Sequence, residues 1–139
     1  MSVIDGPIAH RLDEIAEAVG AQPGDLPARS PRDDATPYVW QSDDKALHLT
    51  IAERGQVLSD ATTSDVDEFL YQYAEFVTTA VAQRTHPLVD VGARREAWAE
   101  QFRLLNLLDV NWATRWRTGI HDLLVAAGNS ADLEMLPAG

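Results

Sequence analysis

The spacing of apolar residues divides the chain into helix-like and strand-like regions. The first 20 residues show the three- and four-residue spacing that places apolar side chains on one face of a helix. The residues of this stripe are Ile8, Leu12, Ile15 and Val19. Pro7 suits the first helical turn and Gly20 suits a left-handed end, so a helix is predicted over about residues 7–19. Residues 21–37 contain four of the seven prolines, which predicts a loop or a partly extended linker.

A two-residue period begins at residue 38. In residues 46–51 apolar side chains alternate with His48 and Thr50, as in a strand with one buried face. Turn-forming residues precede and follow this strand, and further strand-like runs lie beyond them. Residues 38–61 are therefore predicted to form a three-stranded antiparallel meander with tight hairpins. A sheet this small requires helices packed on one face.

The helical period returns in residues 62–128. A second helix is predicted from a capping sequence at 64–67 to about His86, with Tyr71 and Thr78 on its polar face. A third helix is predicted over about 93–108, and a fourth from Asn111 to Gly128 with Leu123 on its apolar face. Residues 129–139 are expected to form a short frayed tail. The predicted fold is a single α+β domain over 1–139, in which a small three-stranded antiparallel meander packs on about four helices.

Charge is the main compositional feature. Of the 139 residues, 45% are hydrophobic and the net charge is −11. Residues 1–68 hold 14 acidic and 5 basic residues, whereas residues 69–139 hold 8 and 6. A chain this acidic without a basic patch repels a phosphate backbone, so no direct binding to nucleic acid is expected.

Other classes are excluded by what the sequence lacks. It has no cysteine for a disulfide framework and no run of about 18 apolar residues for a membrane span. Residues 1–5 have neither the basic start nor the apolar core of a signal peptide. The protein is therefore expected to be cytoplasmic, with no membrane partner.

Motifs of catalysis and cofactor binding are also missing. No histidine pair has the spacing of a helical zinc site, and there is no nucleophile elbow, phosphate-binding loop or dinucleotide fingerprint. The four histidines are each interpreted as surface or capping residues. Acidic pairs at 33–34, 43–44 and 67–68 lie in turns or a first helical turn, where backbone geometry favours them. No catalytic residue, metal site or cofactor is expected, and the chain is not expected to be an enzyme.

Three features are candidates for binding a protein partner. Tyr38 and Trp40 share a strand face beside an acidic turn, where an aromatic side chain can anchor an interface. The charged hairpin tip at 53–55 is the second feature, although its Arg54 could instead pair with an acid at 67 or 68. The polar face of the second helix is the third, although a charged helix face is usually a solvated surface. The candidate residues are Tyr38, Trp40, Asp43, Asp44, Glu53, Arg54, Asp67, Glu68, Tyr71 and Glu75.

The order of these motifs resembles two families of bacterial polymorphic-toxin immunity proteins, immunity protein 61 and immunity protein 63. Their shared features are an aromatic strand, a Glu-Arg-Gly turn, a Thr-x-x-x-Asp-Glu-x-x-Tyr helix start and a late helix rich in Trp and Arg. These features occur here at 38–40, 53–55, 63–71 and 111–117, and the resemblance covers about residues 38–124. At Gln72 the families have a further aromatic residue. The family hallmarks that carry over are Arg54, Asp67, Glu68 and Tyr71, in support of the fold or of the toxin contact.

The resemblance implies an antitoxin that binds and inhibits the enzymatic domain of a cognate secreted or contact-delivered toxin. Toxins that act on nucleic acid or on a nucleotide such as NAD need a basic cleft, towards which a chain of charge −11 would be steered. The alternative is an acidic secretion or assembly chaperone, or another non-catalytic protein-binding module. A third hypothesis is a small-molecule-binding or enzymatic domain that uses the paired carboxylates.

Overall fold

A computed structural model of the chain describes residues 3–90 and 92–139. Met1 and Ser2, which belong to the segment that lacks a signal-peptide pattern, lie outside these ranges. The helices are α1 (Gly6–Ala18), α2 (Val66–Thr85), α3 (Ala93–Leu108), α4 (Val110–Ala126) and α5 (Ser130–Leu133). The strands are β1 (Tyr38–Gln41), β2 (Leu47–Glu53) and β3 (Gln56–Thr63). The fold is α+β, with a three-stranded antiparallel sheet, as the sequence predicts.

The sheet is a meander in the order β1-β2-β3. Trp40 pairs with His48 across β1 and β2, and His48 pairs with Thr62 across β2 and β3. A bulge between Ile51 and Ala52 shifts the register near the second hairpin. Its turn places Gly55 at a φ of +80°, the left-handed conformation that glycine adopts without strain.

One face of the sheet forms the core together with the helices. Val39 and Leu47 are buried on this face, and α2 packs against it with Phe69, Tyr73 and Val77, which are all fully buried. Helix α1 adds Leu12 and Ile15 to the same cluster, and α3 and α4 close it from the far side of α2. Because α2 packs on the sheet, α1 and α3 and reaches α4 through side chains, it is the central element of the fold.

The proline-rich segment is tied to the rest of the fold rather than hanging free as a linker. Within its 3-10 turn, Pro23–Asp25, the residue Asp25 is 4% exposed, and its carboxylate accepts hydrogen bonds of 2.9–3.1 Å from Arg84 at the end of α2. Burial alone would raise the pKa of Asp25, but the hydrogen bonds from Arg84 and the Gln22 backbone outweigh it and lower the pKa. The segment is thereby anchored to α2.

The same segment covers one edge of the sheet. The Val39 N–H donates to the Ala28 carbonyl at 2.9 Å, on the side of β1 away from β2. Further along, the Ala35 N–H donates to the Ala52 carbonyl at 2.8 Å, beside the part of β2 that extends past β1. The carboxylate of Asp33 accepts the Gly55 N–H at 2.9 Å and so holds the second hairpin tip. The β1 side of the sheet is closed by these contacts.

Three details of the helices correct the sequence interpretation. The capping residue of α2 is Asp65 rather than Ser64, and its carboxylate accepts the backbone N–H groups of Asp67 and Glu68. Thr78, assigned to the polar face, is fully buried because α3 packs over it. Leu123, assigned to the apolar face of α4, is 69% exposed.

The C-terminal tail is also ordered differently from the expectation. Residues 130–133 form the short helix α5, which Asn129 caps, and Arg94 on α3 pairs with Asp132 at 2.5 Å. The Arg117 side chain donates to the Pro137 carbonyl. The tail is therefore attached to α3 and α4 instead of frayed.

Within residues 3–90 and 92–139, none of the helices combines the length and the hydropathy that a membrane span requires.

Candidate interaction surface

The sheet face opposite the core carries an aromatic and polar cluster that joins all three strands. Cross-strand pairing places Trp40 beside His48, and the two rings stack with centroids 3.8 Å apart and planes 11° from parallel. Around this stack lie hydroxyl and carboxylate groups from β2, β3 and the first hairpin turn. We call the set the sheet-face network; it comprises Trp40, Ser42, His48, Thr50, Asp60 and Thr62.

Asp60 is the acceptor at the centre of the sheet-face network. The Trp40 indole donates to the Thr50 hydroxyl at 2.9 Å, and that hydroxyl donates to Asp60 at 2.8 Å. His48 Nδ1 lies 3.1 Å from the same carboxylate, and the Thr62 hydroxyl donates to it at 3.1 Å. Burial alone would raise the pKa of Asp60, but hydrogen bonds from Thr50, His48 and Thr62 outweigh it and lower the pKa. An ionised Asp60 thus holds the aromatic pair in place.

The other ring nitrogen of His48 faces the first hairpin turn. Nε2 lies 3.0 Å from the Ser42 hydroxyl, which in turn donates to Asp44 at 2.5 Å. The pKa of Asp44 is lowered by this hydroxyl and by the Ala46 N–H. Ser42, His48 and Asp60 follow one another as in a nucleophilic triad, but the Ser42 proton faces a carboxylate, a stronger acceptor than imidazole. This geometry favours a fixed polar network over an activated nucleophile.

His48 corrects the interpretation of the histidines as surface residues, since it is only 8% exposed. The alternation of β2 predicts that His48 and Thr50 lie on its polar side, but their neighbours on β1 and β3 bury both residues. The signal that could have revealed the cluster is the register: a third strand extended to residue 63 places Asp60 and Thr62 opposite Thr50 and His48. The meander predicted over residues 38–61 ends before Thr62 and therefore does not include this pairing.

The aromatic strand and its acidic turn, the first candidate feature, contain both exposed and buried residues. Trp40 is partly exposed in the sheet-face network, and Asp43 and Asp44 are exposed in the adjoining turn. Tyr38 lies on the same face but is 7% exposed, so it offers little ring surface to a partner. Trp40 and the acidic turn therefore remain together, while Tyr38 mainly supports the sheet.

The hairpin tip carries Glu53 and Arg54, which are both exposed. Arg54 adopts a φ of +53°, unusual for a residue with a side chain, and its backbone N–H donates to the Asp33 carbonyl at 3.2 Å. The sequence interpretation offers as the alternative a pair between Arg54 and an acid at the start of α2, either residue 67 or Glu68. Glu68 pairs with Arg115 instead.

Two hallmark residues of the second helix belong to a contact between α2 and α4. Arg115 donates to both oxygens of Glu68 at 2.6 and 2.8 Å, and its guanidinium lies 3.8 Å from the centre of the Tyr71 ring. The edge of Trp112 contacts the same ring, with centroids 6.2 Å apart. We call these four residues, Glu68, Tyr71, Trp112 and Arg115, the helix clamp.

The surroundings of the helix clamp shift the pKa values of Glu68 and Tyr71. The hydrogen bond from Arg115 lowers the pKa of Glu68. Burial, together with the carboxylate of Glu75 that accepts the Tyr71 hydroxyl at 2.9 Å, raises the pKa of Tyr71. Tyr71 is 5% exposed, which corrects its assignment to an exposed polar face. The helix start and the late Trp- and Arg-rich helix are distant in sequence but meet here, so these motifs support the fold.

Two grooves flank the exposed ridge of α2. One has a volume of about 460 Å³ and lies between α2 and the sheet, where Leu49, Ala61 and Phe76 line it. The other has a volume of about 560 Å³ and lies among α2, α3 and α4, where Trp98 and Ile120 line it. Glu75 borders both grooves and is exposed, whereas Asp67 is exposed at the start of α2.

Metal binding has no structural support in the part of the chain that the structure describes. Across residues 3–90 and 92–139, no group of three or more histidine, aspartate or glutamate side chains is arranged to hold a metal ion. His48 lies beside two carboxylates, but Ser42 separates it from Asp44. The arrangement suits hydrogen bonding within the sheet face.

Comparison with known proteins assigns the chain to a family. No curated protein and no solved structure matches it. Residues 43–122 match the family described as Immunity protein 63, one of the two families that the motif order resembles. The matched segment runs from the first hairpin turn to α4, and it contains the helix clamp together with His48 and Asp60. Since this segment is more than half of the chain, the protein belongs to the Immunity protein 63 family.

Proposed function

We propose that the protein neutralises a bacterial toxin by binding the toxin's enzymatic domain through the exposed sheet face. Membership of the Immunity protein 63 family is the observation that carries this function, because it implies a cognate toxin as the partner. The proposed contact comprises the sheet-face network and the acidic turn at 43–44. The chain acts by binding alone and contributes no chemistry to the toxin's reaction.

Trp40 is the proposed anchor of the interface. Its ring is held on one side by His48 and its indole N–H is held by Thr50, while part of the ring remains exposed. A side chain fixed in this way loses little conformational entropy on binding. Tryptophan is also among the residues that most often dominate binding energy in interfaces.

The acidic surroundings of Trp40 indicate the charge of the partner. Asp43 and Asp44 extend from the first hairpin turn, and Asp60 lies on the same sheet face. We propose a basic cleft on the toxin as the complementary surface, in an enzyme that acts on nucleic acid or on a nucleotide such as NAD. Occupying such a cleft would exclude the anionic substrate, and the field of a chain with net charge −11 would speed the encounter.

The other sequence candidates have different places in this proposal. Tyr38, Glu68 and Tyr71 support the fold from buried or clamped positions. Glu53, Arg54 and Asp67 are exposed charges that the proposed contact does not require. Glu75 borders the groove between α2 and the sheet, beside the proposed contact.

Co-expression with a toxin domain encoded by a neighbouring gene tests the function. The toxin domain alone should arrest growth, and the wild-type chain should restore growth and form a stable complex. Trp40→Ala should weaken rescue, whereas Leu123→Ala, which removes an exposed apolar side chain from α4, should rescue as the wild type does. Thermal melting of both variants separates a lost contact from a lost fold.

The activity of the purified toxin distinguishes an inhibitor from a chaperone. An immunity protein abolishes turnover when it is added in equal amount. If the complex forms but the toxin remains fully active, the chain is a chaperone or another binding module. Absence of both rescue and complex formation contradicts the proposed function.

A further inference from the structure

The two edges of the sheet differ in how they are protected. The β1 edge is covered by the proline-rich segment, whose Ala28 bonds the backbone of β1. The other edge is β3, which has eight residues and is last in the strand order, and its first five residues are exposed. An uncovered strand edge presents backbone donors and acceptors that can pair with another chain.

The register identifies which groups of β3 face outwards. The Val39 N–H points away from β2 towards Ala28, so the backbone groups of Trp40 point towards β2 and bond those of His48. The direction of these backbone groups alternates along a strand. The backbone N–H and carbonyl of Leu49 therefore point towards β3 and bond those of Ala61. The backbone N–H and carbonyl groups of Asp60 and Thr62 consequently face the uncovered side.

Apart from the bulge that inserts Leu58 near the hairpin and the inward-facing charge of Asp60, this edge lacks the features that usually prevent strand addition. Residues 56–63 include no lysine, arginine or proline, and Val57 and Leu58 are 66% and 56% exposed. The single charged residue is Asp60, whose carboxylate turns towards His48 and Thr50 on the sheet face. Its charge is thereby held away from the line along which another strand would pair.

A groove continues from this edge towards α2. Ala61 of β3 and Leu49 of β2 form its sheet side, and Phe76 and Ala80 form its helix side. The volume of about 460 Å³ can hold one or two apolar side chains from a strand that lies beside β3. Glu75 borders the groove and carries the charge that a basic neighbour would meet.

We propose that β3 accepts an extended segment of the toxin as a fourth strand of the sheet. This inference rests on the proposed function and specifies how the partner is held. The added segment alternates basic and apolar residues: its basic side chains face Asp60, and its apolar side chains enter the groove beside Phe76. Backbone pairing provides affinity, while the alternating side chains provide specificity.

Charge favours the toxin over a second copy of the chain as the occupant. Antiparallel pairing of two β3 strands centred on Asp60 would bring the two Asp60 side chains together on one face. Each copy also has a net charge of −11, so the copies repel one another. A basic segment has the complementary charge on both counts.

Two substitutions at one position test the added strand. Thr62→Pro removes the outward N–H and Thr62→Val keeps it, while both remove the hydroxyl that donates to Asp60. The probe is the toxin domain encoded beside the gene, and the dissociation constant is measured for each full-length variant. We expect Thr62→Pro to bind at least about tenfold more weakly than Thr62→Val, because a pairing bond is lost and its partner is left unpaired.

Hydrogen exchange and melting temperature complete the test. The toxin should slow amide exchange at Asp60 and Thr62 in the wild-type chain, and the two variants should melt at similar temperatures. Equal affinity of the two variants, with no protection of β3, overturns the added strand but leaves toxin binding intact. If the wild-type chain fails to bind the toxin at all, the proposed function fails and the added strand fails with it. Should Thr62→Pro unfold the chain, protection of β3 in the wild type decides the question.

Discussion

The helix clamp and the sheet-face network both place a nitrogen-bearing side chain on an aromatic ring beside a carboxylate, but they serve different ends. In the helix clamp, Arg115 covers Tyr71, which is 5% exposed. In the sheet-face network, His48 supports Trp40, and part of the Trp40 ring remains available to a partner. The aromatic ring is covered in the helix clamp, whereas in the sheet-face network it is partly left at the surface.

The comparison shows that residues diagnostic of a family can be engaged in packing its fold. Glu68 and Tyr71 stand in the most recognisable segment of the sequence, yet both are engaged with Arg115 on α4. The sheet-face network includes residues that no motif singled out, such as Asp60. Substitutions in the helix clamp should therefore mainly lower stability, whereas substitutions in the sheet-face network should mainly weaken binding to a partner.

The largest expected effect is a loss of stability in the helix clamp. Tyr71→Ala should lower the free energy of unfolding by about 3–5 kcal/mol, since it empties a buried aromatic site and leaves Arg115 without its ring. Trp40→Ala should cost less, because its ring is partly exposed. Urea denaturation of both variants measures the difference. A Tyr71→Ala variant as stable as Trp40→Ala would show that the two clusters are equivalent.

An intermediate effect is expected from acid. Asp60 has a lowered pKa in the folded chain, so its contribution to stability is complete above the unfolded pKa of about 4 and is lost as pH falls through the folded pKa. Asp60→Asn should remove about 1 kcal/mol at neutral pH, with allowance for solvent exposure. It should also flatten the decline of stability below about pH 4, measured as the urea midpoint at each pH.

Glu68→Gln provides the matched variant for the acid experiment. The pKa of Glu68 is also lowered, by the hydrogen bond from Arg115, so its stabilisation disappears in the same direction. The two variants should differ in binding: Asp60→Asn alters the proposed toxin contact, whereas Glu68→Gln alters only the frame. A pH dependence of stability that neither variant changes would mean that other carboxylates control acid unfolding.

The smallest expected effect concerns the rate of association. Asp43→Lys should slow association with the toxin about three- to tenfold at low salt and leave dissociation nearly unchanged, because Asp43 is an exposed rim charge. Asp122→Lys makes the same charge change on α4 and serves as the control. Stopped-flow kinetics at several salt concentrations measure both. Equal rates for the two variants would remove the acidic turn from the encounter.

Much of the architecture could be predicted from hydrophobic periods. The three-stranded meander and the bounds of α3 agree with the alternation and spacing along the chain, α1 lies within one residue of its predicted position, and β3 extends two residues past the predicted end of the meander. These signals are local, since each depends on residues a few positions apart. They also place Trp40 beside the acidic turn, which the structure retains.

The remaining features depend on contacts between distant segments. The helical period places Tyr71 on the polar face of α2, but α4 covers its ring with residues 41 and 44 positions further along. His48 was assigned to the surface because β2 alternates, whereas its burial depends on Asp60 and Thr62 across the sheet. The order of the tail similarly depends on Arg94, which no local pattern connects to Asp132.

The stack of Trp40 on His48 also gives this surface an optical signal of its own. Emission from an indole is sensitive to an imidazole in van der Waals contact, and here the ring centroids are 3.8 Å apart. The other three tryptophans lie on α3 and α4, away from the exposed sheet face. A protein in which those three are replaced by phenylalanine would report through fluorescence, without any attached dye, when a partner covers the stack or separates its rings.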